Sequence, residues 1–127
     1  MNVLIVGAGQ VGESIAADLA ASHDVTIVDQ RSDRTEELTY GYDVLTVTGD
    51  GTDVDVLEEA GIESAEMVIA STDDDETNIV ACSTAAALSG ALTIARIKQA
   101  KYLETWERAD RVFGVDYMVC TNLLTAR

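Results

Sequence analysis

Short apolar runs punctuate the chain at near-regular intervals: Val3–Val6, Val25–Val28, Val44–Val47, Met67–Ala70, Leu92–Ile97 and Tyr117–Val119. Several are continuous in Val, Ile and Leu, as strands covered on both faces are. Between them the period changes. Val11, Ile15 and Leu19 stand one helical turn apart, and helical patterns follow near Asp33–Tyr40, Val54–Ala60, Asp75–Leu88 and Ala100–Arg108. Strict alternation of strand and helix calls for parallel strands joined by right-handed crossovers. The pattern therefore predicts an α/β fold: a Rossmann-like doubly wound parallel sheet of about six strands with helices on both faces. No linker, low-complexity tract or repeat divides the 127 residues, so one domain with one core is expected over 1–127.

The first strand-to-helix turn carries candidate chemistry. Gly7-Ala8-Gly9-Gln10-Val11-Gly12 matches GxGxxG directly after the first strand. In that pattern the first glycine permits a tight turn, the second lets backbone approach a phosphate, and the third lets the helix pack close on the strand. Free N–H groups and the positive end of the helix dipole favour an anion there. Alone the motif is weak, because glycines also punctuate ordinary turns. Asp29 strengthens it: it ends the second strand roughly 20 residues further on, where an acid accepts hydrogen bonds from ribose hydroxyls. The same carboxylate would repel a 2'-phosphate, which disfavours NADP. Arg31 and Arg34, opening the second helix, are either solvated or turned toward a phosphate-rich ligand.

Three more clusters fall near strand ends. In "VTGDGTD", Asp50, Gly51 and Thr52 belong at the carboxyl edge of the sheet, where open parallel sheets bind ligands, while Thr52 or Asp53 also suits an N-cap. In "ASTDDDETN", Ser71, Thr72 and Asp73 each precede an acid by three positions, offering three overlapping capping boxes. This acidic run complements a helix dipole and lacks the spacing of a calcium loop. Arg96 sits inside the apolar "LTIARIK"; an embedded charge is costly unless paired, so it is expected at the strand's end, facing nucleotide phosphates.

Composition narrows the function classes. With 23 Asp plus Glu against 8 Lys plus Arg, the net charge of -15 repels nucleic acid. Because the acids lie between periodic apolar segments, they decorate a folded surface rather than a disordered tail. Such surfaces suit a salt-rich cytosol, where molar salt screens charge to within about 3 Å, so a halophilic source is expected. The apolar runs are far short of a bilayer span, and the chain starts at Met1 without a basic leader, so a cytoplasmic protein without direct membrane insertion is expected. Cys82 and Cys120 are widely separated and read as reduced thiols; with a single histidine, His23, no metal site is expected. His23 precedes the second strand and reads as an exposed loop residue at the far end from the glycine motif. No catalytic residue emerges. None of the tyrosines has a lysine four positions on, and no Walker lysine follows a glycine loop.

The motifs together resemble a known family over nearly the whole chain. "VLIVGAGQVG", "VDQ" with Arg34, "VTGDGTDVDVLEEAGIESAEMVIASTDDDETNIVA", "IARI" and "FGVDYMV" followed by "LLTA" are similar to the nucleotide-binding lobe of TrkA-type regulators of potassium conductance, the RCK or TrkA-N domain. The resemblance implies a cytoplasmic regulatory subunit of a Trk potassium transport system. It would bind NAD(H), or ATP or ADP, and gate a membrane potassium transporter subunit. It also implies that Gly7, Ala8, Gly9, Gln10, Val11 and Gly12 meet phosphates, Asp29 the ribose, and Asp50, Gly51 and Thr52 the adenine side. Ser71, Thr72 and Asp73 would border the ligand's far side, with Arg96 on the phosphates. Relatives often have proline near Thr121, absent here, and a crossover helix expected near Asn122 would lead into a dimerising segment and a second lobe, so the domain reads as cut from a longer regulator. Leu123, Leu124 and the pair Tyr102 and Trp106 suggest a homodimer or larger assembly through this end. The alternative is the NAD-binding half of an oxidoreductase that lacks its catalytic domain.

Overall fold

The computed structural model describes residues 1–110 and 112–121. Its strands are β1 (Asn2–Val6), β2 (Asp24–Asp29), β3 (Leu45–Thr48), β4 (Met67–Ala70), β5 (Leu92–Ile97) and β6 (Tyr117–Cys120). Between them run α1 (Gln10–Leu19), α2 (Ser32–Gly41), α3 (Val54–Glu59), α4 (Asp75–Leu88) and α5 (Ala100–Arg108). The six strands form one sheet in the order β3-β2-β1-β4-β5-β6, every pair parallel. This is the expected doubly wound Rossmann-like architecture.

Alternate residues of the central strands enter opposite layers of core. Val3, Ile5 and Ile27 pack with Ala16 of α1 and Leu38 of α2 on one face. Leu4, Val6, Val28 and Val68 pack with Leu57 of α3 and Ala81, Cys82 and Ala85 of α4 on the other. The small residues of α4 let it lie close against the β4–β5 part of the sheet. Burial of the Cys82 thiol pushes its pKa up to about 12.

Three expectations need correction. The third strand lies one residue later than its apolar run, because Leu45–Thr48 is what pairs with Thr26–Asp29. Its face toward α2 is polar, with Thr46 and Thr48 sharing hydroxyl hydrogen bonds with Thr39 and Thr35, a contribution that an apolar criterion does not register. Second, α4 is capped not by Ser71, Thr72 or Asp73 but by Asp74, which accepts from the Thr77 N–H at 3.0 Å. Third, His23 is half-buried rather than exposed; its Nδ1 is enclosed without a partner among the described residues. Asp53 does cap α3, accepting from the Asp55 N–H at 2.9 Å.

At the carboxyl-terminal end of the domain, Trp106 Nε1 donates to the Val115 carbonyl at 2.8 Å and the Tyr102 hydroxyl donates to Glu76. Both rings pack against the larger core cluster, so this pair is engaged within the fold. Leu123, Leu124 and the path after Thr121 lie outside the described residues. Among the described residues no helix is long and apolar enough to cross a membrane.

Candidate nucleotide site

Strand order reverses between β1 and β4, which splays the loops after these strands apart and opens a crevice at the carboxyl edge of the sheet. The loop from β1 to α1 forms its centre. Gly7 adopts φ of 113°, and a Cβ there would stand 2.8 Å from the Thr72 nitrogen. A Cβ on Gly12 would lie 1.9 Å from the Gly7 carbonyl oxygen. Both glycines are therefore required by the turn itself, and α1 begins directly over the end of β1.

Asp29 closes the end of β2 and ties the glycine loop down. Its Oδ2 accepts from the Ala8 N–H at 2.7 Å and its Oδ1 from the Arg31 N–H at 2.8 Å. The Arg31 guanidinium forks onto the same carboxylate through Nε and Nη2, each at 3.0 Å. Partial burial pushes the carboxyl's pKa upward, but the hydrogen bonds from Arg31 and Ala8 outweigh it and hold the value below the ordinary range.

The crevice has two compartments that meet at Arg31 and Asp73, which line both. One, of about 480 Å³, has Val6 and Val28 as apolar walls and Asp29, Gly49, Gly51, Thr72 and Thr77 around them. The other, of about 420 Å³, is lined by Gly9, Gln10 and Val11 at the start of α1, with Ser71 and Arg96. Two residues of the second compartment carry buried polar atoms without a partner among the described residues. Ser71 is 3% exposed and its hydroxyl has no partner among the described residues; the buried Nε of Arg96 has none either. Arg96 Nη2 donates to the carbonyls of Ser71 and Thr72 at 3.1 Å each, fixing the head group at the mouth of this compartment. An enclosed guanidinium N–H beside free helix N–H groups presents donors to a phosphate.

Two residues that sequence reasoning did not single out organise these groups. Asn78, fully buried, accepts from the Thr72 N–H and hydroxyl at 2.9 and 2.6 Å and donates to the carbonyls of Thr72 and Arg96 at 3.1 and 2.6 Å. It thereby locks the β4 loop to the end of β5. Asp75, 4% exposed, accepts from the N–H groups of Lys98 and Gln99. An uncapped Asn one turn into a helix and followed by an apolar run was the available signal for Asn78.

Of the remaining sequence candidates, Arg34, Asp50 and Thr52 stand around the crevice rather than in it. Arg34 lies behind the glycine loop: Nε donates to the Ala8 carbonyl at 2.8 Å, and the other nitrogens to Glu13 at 2.7 Å and Glu37 at 2.8 Å. Hydrogen bonds from Arg34 and then Tyr42 hold the Glu13 carboxyl below its ordinary pKa. The Asp50 carboxylate is turned onto Thr52, accepting from its N–H at 2.9 Å and its hydroxyl at 2.8 Å, so of this trio only Gly51 lines the larger compartment.

A parallel sheet in this order with a glycine loop at its switch point defines a Rossmann-like domain. The chain belongs to the TrkA-N domain family, whose pattern matches residues 3–121. It is 44% identical over 128 residues to the Trk system potassium uptake protein TrkA of Vibrio alginolyticus, an alignment covering 98% of this chain and 28% of that protein. The chain thus spans less than a third of the length of such curated relatives. In fold it is similar to the TrkA-N domain of the inner membrane protein ybaL from Escherichia coli, with a TM-score of 0.85 at 22% identity over 99% of this chain and 91% of that one. The GsuK channel, in a structure bound to NAD, superposes with a TM-score of 0.76 at 24% identity, over 93% of this chain and 21% of that one; GsuK is also known bound to ADP.

Proposed function

We propose that this domain is the nucleotide-sensing lobe of a regulator of Trk-type potassium transport. It binds NAD(H) or an adenine nucleotide, NAD(H) being favoured and ATP or ADP alternatives, and its occupancy gates a membrane potassium transporter subunit. The regulator works on the cytoplasmic side of the membrane as a homodimer or larger assembly, and its output is a conformational preference rather than a product.

The observation that carries this reading is the pair of unpartnered buried polar atoms, Ser71 Oγ and Arg96 Nε, on two residues that line the compartment at the start of α1. Buried polar groups are normally satisfied, and a phosphate supplies the missing acceptor for Arg96 Nε and for the Ser71 hydroxyl. In this arrangement the N–H groups of Gly9–Val11 with Ser71 and Arg96 hold the phosphates, Asp29 the ribose hydroxyls, and Val6 and Val28 flank the base. The named relatives support the potassium-transport setting, and the NAD and ADP complexes of GsuK, a protein of the same fold, support an adenine nucleotide.

A nucleotide shifts such a regulator only by the difference in its affinity for two arrangements of the protein. The loops after β1, β2, β3 and β4 converge on the two compartments, with Arg96 of β5 beside them, so a ligand that draws them together favours the closed arrangement. The test is to identify the nucleotide that copurifies with the chain and titrate it back together with NADH. Saturable binding of NADH without its consumption is expected. Steady oxidation of NADH with a small carbonyl substrate would turn the reading toward an oxidoreductase, and failure to bind any adenine nucleotide would remove it.

A further inference from the structure

All the acceptor positions that Asp29 needs for a ribose are already in use. A carboxylate has about four lone-pair sites, and here each oxygen accepts two N–H groups: Ala8 and Arg31 main chain, Arg31 Nε and Nη2. The two main-chain donors are fixed by the fold. The other two belong to a side chain that is 56% exposed, on a carboxylate only 8% exposed. A ribose cis-diol also presents two O–H donors. It can reach Asp29 only by taking the places of the guanidinium.

Besides Asp29, the carboxylates that act on the guanidinium are Asp33, in the first turn of α2, and Asp73. Asp73, beside it across the crevice, already faces Arg96 and Lys98 at 3.4 Å each and is 90% exposed. Arg31 does, however, line the compartment formed by Gly9, Gln10, Ser71 and Arg96, where a diphosphate attached to that ribose would lie. We infer that Arg31 is a specificity-determining residue: it occupies Asp29 in the empty site and passes to the diphosphate of an incoming ribonucleotide, so the site takes nucleoside diphosphates in preference to nucleosides. This rests on the nucleotide-binding reading above. Adenosine has to break the same fork and gives the guanidinium nothing in exchange.

The test compares ADP with adenosine on the wild type, Arg31→Ala and Arg31→Lys, with affinities from calorimetry or NMR titration. Removing the fork should tighten adenosine about two- to fivefold, while ADP is unchanged or weakened, so the ADP-to-adenosine affinity ratio falls by about five- to tenfold in Arg31→Ala. Arg31→Lys keeps the charge without the fork and should fall between. The Arg31 Nε–H resonance of the wild type should stay protected from exchange with ADP and lose protection with adenosine. An unchanged ratio, or adenosine weakened by Arg31→Ala, overturns the assignment while leaving the nucleotide site standing. ADP failing to bind all three proteins would remove the site and this inference together.

Discussion

Gly9 and Gly12 lie three residues apart in one loop, yet adding a methyl group to each should break different things. A Cβ on Gly12 would sit 1.9 Å from the Gly7 carbonyl oxygen, 2.9 Å from its carbon and 3.3 Å from Ser71 Oγ. Two of those neighbours are backbone at the end of β1, so relief requires moving α1 off the sheet by more than an ångström. Overpacking of this kind costs about 1–3 kcal/mol and occasionally more, and disruption of a turn held at both ends belongs at the upper limit. A Cβ on Gly9 meets nothing within 4 Å, and its φ of -77° and ψ of -165° suit alanine. Its cost to the fold is that of a poorer N-cap, about 0.5–1 kcal/mol. The methyl group would instead enter the compartment assigned to phosphate. Urea unfolding with calorimetric titration of ADP or NADH separates the two effects. Gly12→Ala should lose about 3 kcal/mol of stability, whereas Gly9→Ala should remain folded and lose binding by at least tenfold. A Gly12→Ala protein as stable as the wild type would refute the packing argument. A Gly9→Ala protein that binds normally would refute the placement of the ligand.

Three further outcomes follow from charge and burial. With a net charge of -15, the unfolding midpoint should rise steadily from dilute buffer to molar KCl as self-repulsion is screened; a flat or falling trend would remove salt adaptation from the account. The Asp29 pKa is lowered in the fold, as are those of Asp50 and Asp74, so the stability they contribute is complete above the ordinary carboxylate value near 3.9 and is lost as pH falls through their lower folded values. Acid titration in molar KCl should show the midpoint level down to about pH 4.5 and dropping below it, less steeply in Asp29→Asn; an identical acid limb in that variant would contradict the assigned hydrogen bonds. Burial raises the Cys82 pKa to about 12 while Cys120 is half-buried, so a thiol reagent at pH 8 should label Cys120 and reach Cys82 only on unfolding. Rapid labelling of both would show that the α4 packing is looser than described.

The fold was legible because its period changes are sharp. Apolar runs of strand length alternate with helical spacing, and only a parallel sheet with crossovers accommodates that order. The glycine loop and Asp29 were legible for a similar reason: they sit at fixed offsets from predicted elements, and Gly7 and Gly12 answer to local backbone geometry. The supports of the site were harder to read because they depend on contacts between residues distant in sequence. Asn78 meets Arg96, Asp75 meets Lys98 and Gln99, and Arg34 meets Ala8, and none of these pairings has a local pattern. Nor does sequence distinguish Arg31 from Arg34. Both open α2, yet the turn sends one over the Asp29 carboxylate and the other behind the glycine loop. The capping residue of α4 was misplaced because Ser71, Thr72 and Asp73 each precede an acid by three positions, whereas Asn78 holds Thr72 through its N–H and hydroxyl and Asp74 makes the cap.

The central claim is that the crevice at the β1–β4 switch point is a nucleotide site with Asp29 on the ribose. Its most direct test is the affinity of NADH and NADPH for the wild type and for Asp29→Ala, measured by calorimetry in molar KCl. A carboxylate that accepts two hydroxyls contributes roughly 1.5–3 kcal/mol, so Asp29→Ala should weaken NADH by about ten- to a hundredfold. NADPH should bind the wild type less well than NADH, and the variant should narrow that gap. Equal NADH affinity in the two proteins would contradict the account.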